Sequence, residues 1–391
     1  MEKLKIGVFG AWRGQSLMKS ASAIEECEVV AILDKDPQKI EEARQFCKPD
    51  VKICTDFDDL LSSGIDVVFL CNYFHEHAKY AIQAMKKGIH VFSECLPAVT
   101  MKECVELVEA VEQTGCYYAM AENCPFTPSV MEMTRLYQQG VLGNVIYAEA
   151  EYSHPSAPAD ANKYRPYPNH WRSFLPKTYY LTHSIGPLMV MTDLMPKKVI
   201  GKVAPGQEYA RSHGKKNGDS AGVMLVEMDG GVLFRVTGCN TYGPASHWFR
   251  LACDKGGVEN VRYTEDTVSL CINPWDVPES MKPMGNKTTY IPTDNELSKT
   301  ARKYGSHAGA DFWTVYNFVQ DLVHDRQPYM DVYRSAAIAA VGILGWRSVL
   351  NDSKQYEIPN FRDPAAREAY RNDDLSPWRG EIPYMIYSAE E

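Results

Sequence analysis

Residues 4–14 read LKIGVFGAWRG, an apolar run followed directly by a turn that begins and ends with a glycine. Short Val/Ile-rich runs then alternate with stretches of helical period as far as Asn123. Such alternation is typical of a parallel sheet built from β-α-β units. We therefore predict an α/β protein whose residues 1–123 form a Rossmann domain, a doubly wound parallel sheet that binds a dinucleotide.

Six strands are predicted in this domain, at Leu4–Phe9, Glu28–Leu33, Val51–Cys54, Val67–Cys71, His90–Ser93 and Tyr117–Ala121. The helices between them carry charge on one face and small or apolar side chains on the other, as in Gln38–Cys47, Ala78–Lys87 and Met101–Thr114. Thr100 is a predicted N-cap for the last of these helices, and Gly115 is its predicted stop.

The pattern changes after Asn123. A helix is predicted at Pro128–Gln139, and residues then alternate between polar and apolar in four segments: Val145–Ser153, Gly222–Met228, Gly231–Gly238 and Trp248–Asp254. Alternation indicates a sheet with one covered and one free face, which is available to a ligand or a partner subunit. We predict that residues 124–391 form an α+β domain with a large, open, mostly antiparallel sheet.

Other parts of this domain are predicted as loops, helices and a tail. Pro155–Pro176 and Tyr242–His247, rich in Pro, Tyr, Asn and His, are typical of long functional loops. Phe312–Asp325 and Val332–Asn351 are predicted helices, and the tail Asn360–Glu391 is expected to wrap over the surface.

Charge and composition exclude several classes of function. The chain has 391 residues with 41 Lys+Arg against 50 Asp+Glu, a net charge of −9. Nucleic acid and anionic membranes are therefore not expected as partners, because both rely on excess positive charge. Apolar stretches are too short to cross a bilayer, and no signal peptide fits before the first strand, so we expect a cytoplasmic protein. Eleven scattered cysteines fit neither a disulfide framework nor a zinc knuckle.

The turn after the first strand is a candidate pyrophosphate site. Gly10-Ala11-Trp12-Arg13-Gly14 would bring backbone N–H groups and a helix N-terminus to the phosphates, although it is one residue shorter than G-x-G-x-x-G and has Trp12 at a glycine position. A plain strand-to-helix turn is the alternative. Asp34, about 20 residues further on, is the candidate acceptor for a hydrogen bond from a ribose hydroxyl, and its negative charge favours NAD over NADP. The alternative interpretation of Asp34 is the N-cap of the next helix.

Further candidates follow the fourth and fifth strands, at the same edge of the sheet. Asn72, His75 and His77 are assigned to nucleotide contact or helix capping, since no third ligand at a fitting spacing supports a metal site. Glu94 is assigned to the nucleotide edge, with a structural ion pair as the alternative.

These elements, in this order, resemble the Gfo/Idh/MocA family, the group of glucose–fructose oxidoreductase and inositol dehydrogenase. The resemblance extends to Asp331-Val332-Tyr333 and implies a Rossmann domain, an open C-terminal sheet and a homodimer or homotetramer. Family dehydrogenases usually carry Glu-Lys-Pro after the fifth strand, whereas this chain has Glu94-Cys95-Leu96-Pro97. Simple alcohol oxidation through that lysine is therefore in doubt.

The C-terminal half resembles the branch of NAD-dependent α-N-acetylgalactosaminidases and related glycosidases. The segments that carry this resemblance are Ala121-Glu122-Asn123, Tyr152-x-His154, Trp171-Arg172, Tyr180-Leu181-Thr182-His183-Ser184-Ile185-Gly186-Pro187 and Ser306-His307-Ala308-Gly309-Ala310-Asp311-Phe312. The last segment is similar to His-Gly-Gly-x-Asp, with Ala308 in place of a glycine. Relatives of this branch hold NAD tightly, oxidise a sugar hydroxyl, eliminate the aglycone, add water and reduce the ketone again.

The resemblance implies roles for the residues that match. His183 is the candidate base for the hydroxyl proton, and Tyr180 a second partner of that oxygen. Tyr152 is the candidate base for the neighbouring C–H, assisted by Arg172 or His154 because a phenol needs a cation or hydrogen bonds for that task.

Binding roles are assigned in the same way. Trp171 is placed beneath a sugar ring, and His307 and His154 at the substrate, while Asn123 and Arg172 are assigned to the cofactor. Glu122 is assigned to the catalytic residues, beside the nicotinamide or a sugar hydroxyl. A packed core tyrosine, a helix-end histidine and a loop-anchoring tryptophan are the structural alternatives. The predicted function is a glycosidase, and the alternative is a sugar or polyol dehydrogenase that releases NADH.

Overall fold

The computed structural model describes residues 3–155, 157, 170–173, 175–205, 219–239, 244–264, 266–279, 282 and 285–377. The chain divides into two compact units. The first unit comprises Met1–Thr127, Thr293–Ala336 and Phe361–Asn372, and the second comprises Pro128–Pro292, Ala337–Asn360 and Asp373–Glu391.

A six-stranded parallel sheet forms the centre of the first unit. Its strands are β1 (Leu4–Phe9), β2 (Cys27–Leu33), β3 (Lys52–Ile53), β4 (Val67–Leu70), β5 (His90–Ser93) and β6 (Tyr118–Met120). They lie in the order β3-β2-β1-β4-β5-β6, which confirms the predicted doubly wound fold. The strand order reverses between β1 and β4, and folds of this kind bind dinucleotides at that point.

Local signals set the helix boundaries in this unit. Its helices are Ala11–Ala21, Pro37–Ala43, Phe57–Leu61, His77–Met85, Met101–Thr114, Glu296–Tyr304, Ala310–Val323 and Pro364–Glu368. Thr100 accepts a hydrogen bond from the Glu103 amide at 3.0 Å, and the Glu103 carboxylate bonds back to the Thr100 amide. Gly115 ends that helix in the left-handed conformation, with φ 68°. Both predicted caps of Met101–Thr114 are confirmed.

The two units differ from the predicted contiguous domains, 1–123 and 124–391. The first unit continues to Thr127 and includes two later segments, 293–336 and 361–372. Helix Ala310–Val323 explains this difference, because its apolar side chains are buried in the same core as β1 and β5. Phe318 stacks on Phe92 with ring centroids 4.6 Å apart. The hydrophobic face of a late helix thus completes the N-terminal core.

The second unit contains a nine-stranded sheet, which confirms the predicted large sheet. Its strands are β7 (Val145–Ser153), β8 (Pro196–Pro205), β9 (Asp219–Met228), β10 (Leu233–Cys239), β11 (Ser246–Cys253), β12 (Gly256–Asn260), β13 (Val268–Ile272), β14 (Lys287–Tyr290) and β15 (Tyr356–Glu357). The order is β14-β13-β12-β11-β7-β10-β9-β8-β15. Strands β7 and β10 are parallel and the other described pairs antiparallel, so the sheet is mostly antiparallel.

Helices complete the second unit. Pro128–Gln138 and Thr182–Thr192 lie within it, and Val332–Leu350 begins in the first unit and continues into the second. Across the described ranges, no helix combines the length and apolar character that crossing a membrane requires.

Arg367 anchors the part of the C-terminal tail that the structure describes. Arg367 is 2% exposed and donates two hydrogen bonds of 2.9 Å to the Glu112 carboxylate. A buried guanidinium needs such a bidentate partner, because an unpaired buried charge is strongly destabilising. The tail beyond residue 377 lies outside the described residues, as do Tyr164–Tyr167 and most of the predicted loop 155–176.

Candidate functional site

The turn after β1 depends on two glycines. Gly10 has φ 99°, and a Cβ at this position would lie 2.4 Å from the carbonyl oxygen of Cys71. A Cβ at Gly14 would lie 2.8 Å from Cγ1 of Val8. The turn therefore brings the chain close to the end of β4 and packs the next helix closely on β1, the two tasks that glycines perform in dinucleotide folds. The helix begins at Ala11, so the shortened turn is accommodated.

Asp34 is fixed at the end of β2, facing this turn. Its carboxylate accepts hydrogen bonds from the amides of Ala11, at 2.5 Å, and Asp36, at 2.8 Å. The N-cap of the next helix is Asp36, which accepts from the Gln38 amide at 2.9 Å. The alternative interpretation of Asp34 as that cap is therefore wrong. Trp12, in the first turn of the helix, is 45% exposed.

The residues after β4 are partly structural. His77 is buried, and its Nδ1 lies 2.8 Å from the carbonyl oxygen of Leu96. Burial lowers the pKa of both His75 and His77 to about 4, so both rings are neutral at neutral pH. Asn72 donates to the Glu76 carboxylate at 3.3 Å. His77 thus links the start of its helix to the segment after β5, and its role in nucleotide binding stays a prediction.

Arg13 forms ion pairs with two carboxylates. Its guanidinium lies 2.7 Å from the Glu94 carboxylate and 2.9 Å from the Asp311 carboxylate. The ion pair that was the alternative interpretation of Glu94 is therefore present. Asp311 is completely buried and belongs to helix Ala310–Val323, so this pair joins the glycine turn to a segment almost 300 residues later.

Asp311 is the centre of this polar cluster, and the sequence analysis gave it no role. Its carboxylate also accepts from Asn123 Nδ2 at 2.7 Å and lies 3.3 Å from His307 Nδ1. Burial alone would raise the pKa of Asp311, but Arg13 and His307 together hold it well below its usual range. The same contact raises the pKa of His307, through its hydrogen bond to Asp311. Three predicted site residues, Arg13, Asn123 and His307, therefore contact one buried carboxylate, and a fourth, Glu94, pairs with Arg13.

The backbone before this helix is strained. His307, Ala308 and Gly309 are consecutive left-handed residues with φ of 53°, 55° and 98°. A side chain in this conformation costs about 1 kcal/mol or more, whereas glycine adopts it freely. The glycine found in the similar motif of the glycosidase branch is therefore the residue that position 308 favours.

We expect Ala308→Gly to raise the free energy of unfolding by about 0.5–1 kcal/mol, the relieved strain less the entropy that glycine loses on folding. Urea unfolding of the whole chain measures this change. Ala365→Gly, at an exposed helical position, is the control and should lower the stability instead. A loss of stability in Ala308→Gly equal to that of the control would contradict the strain argument.

Glu122 lies at the end of the first unit's sheet and is almost completely buried, at 1% exposure. One carboxylate oxygen accepts from the Cys124 amide at 3.2 Å, and the other lies 3.3 Å from Cys95 Sγ. Cys95 occupies the position where the sequence resemblance leads one to expect a lysine. A buried carboxylate here therefore contacts a thiol rather than an ammonium group.

The predicted catalytic residues of the second unit form one cluster around Tyr152 on β7. The ring of His183 lies 4.5 Å from the Tyr152 ring between centroids, Tyr180 lies at 5.8 Å and His154 at 5.9 Å. Tyr180 also meets His183 edge to face at 5.1 Å. We call these residues, together with His247, the Tyr152 cluster.

His247 completes the cluster; its position in the sequence made it a candidate for the pocket without an assigned role. It is the register partner of Tyr152 on β11, and the two rings stack at 4.7 Å with an interplanar angle of 15°. Three imidazoles thus contact one phenol ring. Tyr152 is 6% exposed and His183 8% exposed, so both lie in a largely dry environment.

Two glycines on neighbouring strands position the cluster. Gly222 on β9 and Gly238 on β10 are register partners. A Cβ at Gly238 would lie 2.3 Å from Cδ2 of Leu181, and one at Gly222 would lie 3.1 Å from Cβ of Lys177. Their missing side chains let the segment from Lys177 to Leu181 lie directly on the sheet. This contact carries Tyr180 to β7, and Ser184 then donates to the Thr237 carbonyl at 2.9 Å.

Trp171 and Arg172 pair with each other. Trp171 is 5% exposed, and the Arg172 guanidinium lies 4.4 Å from its ring centroid. The ring of His170 lies 5.3 Å from Trp171. These contacts of the indole match the structural alternative, a tryptophan that anchors a loop. Stacking of a sugar on Trp171 stays a prediction. The neighbouring residues 158–169 lie outside the described part of the chain.

Comparisons with known proteins find matches in both the N-terminal and the C-terminal part of the chain. Residues 4–122 match the Gfo/Idh/MocA family, described as oxidoreductase family, NAD-binding Rossmann fold, and residues 216–366 match the C-terminal domain of glycosyl hydrolase 109. A glycosyl hydrolase family 109 protein of Shewanella pealeana is 25% identical over 92% of this chain and 86% of its own length. A family 109 protein of Bacteroides thetaiotaomicron is 26% identical over 92% of this chain and 85% of its own.

Solved structures share the fold. An oxidoreductase domain protein from Kribbella flavida has a TM-score of 0.74 at 16% identity, covering 92% of this chain and all of that one. Levoglucosan dehydrogenase in complex with NADH and levoglucosan gives the same values. The chain therefore combines an N-terminal region that matches the NAD-binding Rossmann fold of the Gfo/Idh/MocA oxidoreductase family with a C-terminal region that matches the C-terminal domain of glycosyl hydrolase 109.

Proposed function

We propose that this protein is an NAD-dependent glycosidase that works by transient oxidation of a sugar hydroxyl. The observation that carries the proposal is the contact between Tyr152 and His183, two acid–base side chains with ring centroids 4.5 Å apart. The glycosyl hydrolase 109 names of the relatives support the substrate class, a glycoside.

The residues around the dinucleotide turn fit NAD. Gly10 lets the turn lie directly against the end of β4, the helix after it has N–H groups that would face the pyrophosphate, and Asp34 is an acid that repels a 2′-phosphate. When bound, NAD accepts a hydride from the carbon that bears the hydroxyl and returns it at the end of the turnover. Because the hydride is returned, the cofactor stays bound, and the carboxylate of Asp34 favours NAD over NADP.

The Tyr152 cluster supplies the proton transfers. His183 takes the proton of the sugar hydroxyl as its carbon is oxidised, and Tyr180 bonds the same oxygen. The resulting ketone acidifies the neighbouring C–H, and Tyr152 removes that proton while the aglycone leaves. Water then adds to the double bond, and the ketone is reduced to the original hydroxyl. Three imidazoles lie 4.5, 4.7 and 5.9 Å from the Tyr152 ring between centroids, and a phenolic base here would take from one of them the hydrogen bond or positive charge that it requires.

The alternative function is a sugar or polyol dehydrogenase that releases NADH. Both functions use His183, but only the glycosidase needs a second base. Cys95 in place of the family lysine favours the glycosidase. Incubating the purified protein with chromogenic glycosides and free sugars separates the two. Release of the aglycone without net NADH supports the glycosidase, and stoichiometric NADH without cleavage would establish the dehydrogenase.

The free face of the nine-stranded sheet is proposed to form a homodimer or homotetramer. Residues on this sheet alternate in charge, and Arg235 and Arg250 both pair with Glu149, at 2.7 and 3.3 Å. Interleaved charges of both signs suit contact with a second copy of the same surface. Analytical ultracentrifugation tests this proposal, and a monomer at micromolar concentration would contradict it.

A further inference from the structure

Lys35 and Tyr73 meet across the glycine turn of the first unit. Lys35 follows Asp34 directly after β2, and Tyr73 lies three residues beyond the end of β4. Strands β2 and β4 flank β1 in the parallel sheet. The contact between the two side chains therefore passes over the carboxyl end of β1, where Gly10 begins the turn.

The two side chains hold each other by two interactions. The Lys35 ammonium lies 4.5 Å from the centroid of the Tyr73 ring and donates a hydrogen bond to the Tyr73 hydroxyl. The Tyr73 ring in turn lies parallel to the His75 ring, at 6.1 Å and 16°. Strands separated by one other are about 10 Å apart, a gap that a lysine and a tyrosine can span together.

This contact involves the group that decides between two cofactors. Dinucleotide folds that accept NADP place a cation near the end of the second strand, where it pairs with the 2′-phosphate. In this chain the cation next to Asp34 is Lys35. Asp34 itself cannot easily turn away, because both of its oxygens accept backbone hydrogen bonds.

We propose that Tyr73 is a specificity-determining residue, which favours NAD over NADP by holding the Lys35 ammonium away from a 2′-phosphate. The inference rests on the proposed NAD cofactor and deepens it. Asp34 repels the phosphate, and Tyr73 withholds the cation that would offset the repulsion. Removing the tyrosine therefore frees a cation beside the adenosine ribose.

The test is the ratio of dissociation constants for NADPH and NADH, measured by nucleotide fluorescence with the full chain after bound nucleotide has been removed. We expect Tyr73→Leu to lower this ratio about fivefold, the factor that corresponds to the roughly 1 kcal/mol of an exposed cation–π contact. Lys35→Met alone should leave the ratio unchanged, since Lys35 is already withheld. The double variant, with both Tyr73→Leu and Lys35→Met, should return the ratio to its original value. Lys303→Met removes a similar contact, 5.0 Å from Tyr304, and is the matched control.

Three results would overturn the inference. The first is a ratio in Tyr73→Leu that stays at the original value, and the second is an equal decrease in the double variant. The third is a higher ratio in Lys35→Met, which would mean that Lys35 already binds the phosphate. Tyr73→Phe keeps the ring and removes the hydroxyl, so it provides a milder variant with an intermediate expected decrease. Failure of every variant and the original chain to bind either nucleotide would instead overturn the proposed cofactor, and this inference with it. None of these measurements depends on glycoside cleavage, because each one is a dissociation constant for a nucleotide.

Discussion

Replacing His183 with alanine is expected to lower kcat for glycoside cleavage by about 10²–10⁴-fold while NADH binding is kept. The magnitude is that of a lost general acid–base group. His183 is the second residue of helix Thr182–Thr192 and contacts the rings of Tyr152 and Tyr180, so its loss removes the proposed acceptor of the hydroxyl proton. Initial rates with a chromogenic glycoside and a fluorescence titration with NADH measure the two quantities.

A surface histidine provides the control for this variant. His324 is exposed and bonds the carbonyl of Gln320, so His324→Ala should leave both quantities unchanged. Because His183 is buried, the unfolding midpoint of His183→Ala must also be measured. A folded His183→Ala protein that cleaves glycosides at more than a tenth of the original rate would remove His183 from the mechanism.

Replacing Tyr152 with phenylalanine is expected to abolish exchange of the substrate C–H with solvent deuterium, with a loss of about 10²–10⁴-fold in cleavage. The substitution keeps the ring contacts with His183 and His247, at 4.5 and 4.7 Å, and removes only the hydroxyl. It therefore separates the chemistry of Tyr152 from its packing. Exchange is followed by NMR or mass spectrometry of the recovered sugar.

Tyr147 offers a matched control on the same strand. Its hydroxyl donates to Glu149 at 2.9 Å, away from the Tyr152 cluster, so Tyr147→Phe should exchange and cleave normally. A dehydrogenase needs no second base, so the alternative function predicts that Tyr152→Phe keeps its turnover. Continued C–H exchange in Tyr152→Phe at the original rate would show that another group is the base.

The sequence predicts elements best where local chemistry decides them. Strand Val145–Ser153 and helix Met101–Thr114 have the predicted bounds, because alternation and a complete capping box mark them. Helix Thr182–Thr192 is absent from the predicted helices. Most of its residues are buried, so no amphipathic period marks it, and it contains Gly186 and Pro187. The short strand Lys287–Tyr290 lies at a sheet edge and was missed because it is polar.

The site shows the same limit. Resemblance in short motifs identified Tyr152, Tyr180 and His183, and the structure brings them together. His247 joins them through strand register, which no local pattern encodes. Asp311 was quoted within a motif, but its importance comes from Arg13, a partner 298 positions away. Pairings of this kind depend on tertiary contacts, and a single sequence does not contain them.

The measurement that tests the central proposal most directly is turnover of a chromogenic glycoside in deuterated buffer, with aglycone, NADH and the deuterium content of the sugar followed together. The proposed mechanism predicts aglycone release without net NADH, and one deuterium at the carbon from which Tyr152 removes the proton. Aglycone release with no deuterium in the sugar would indicate direct hydrolysis, and NADH formation in proportion to sugar consumed would indicate a dehydrogenase. Either result would contradict the oxidation and elimination route.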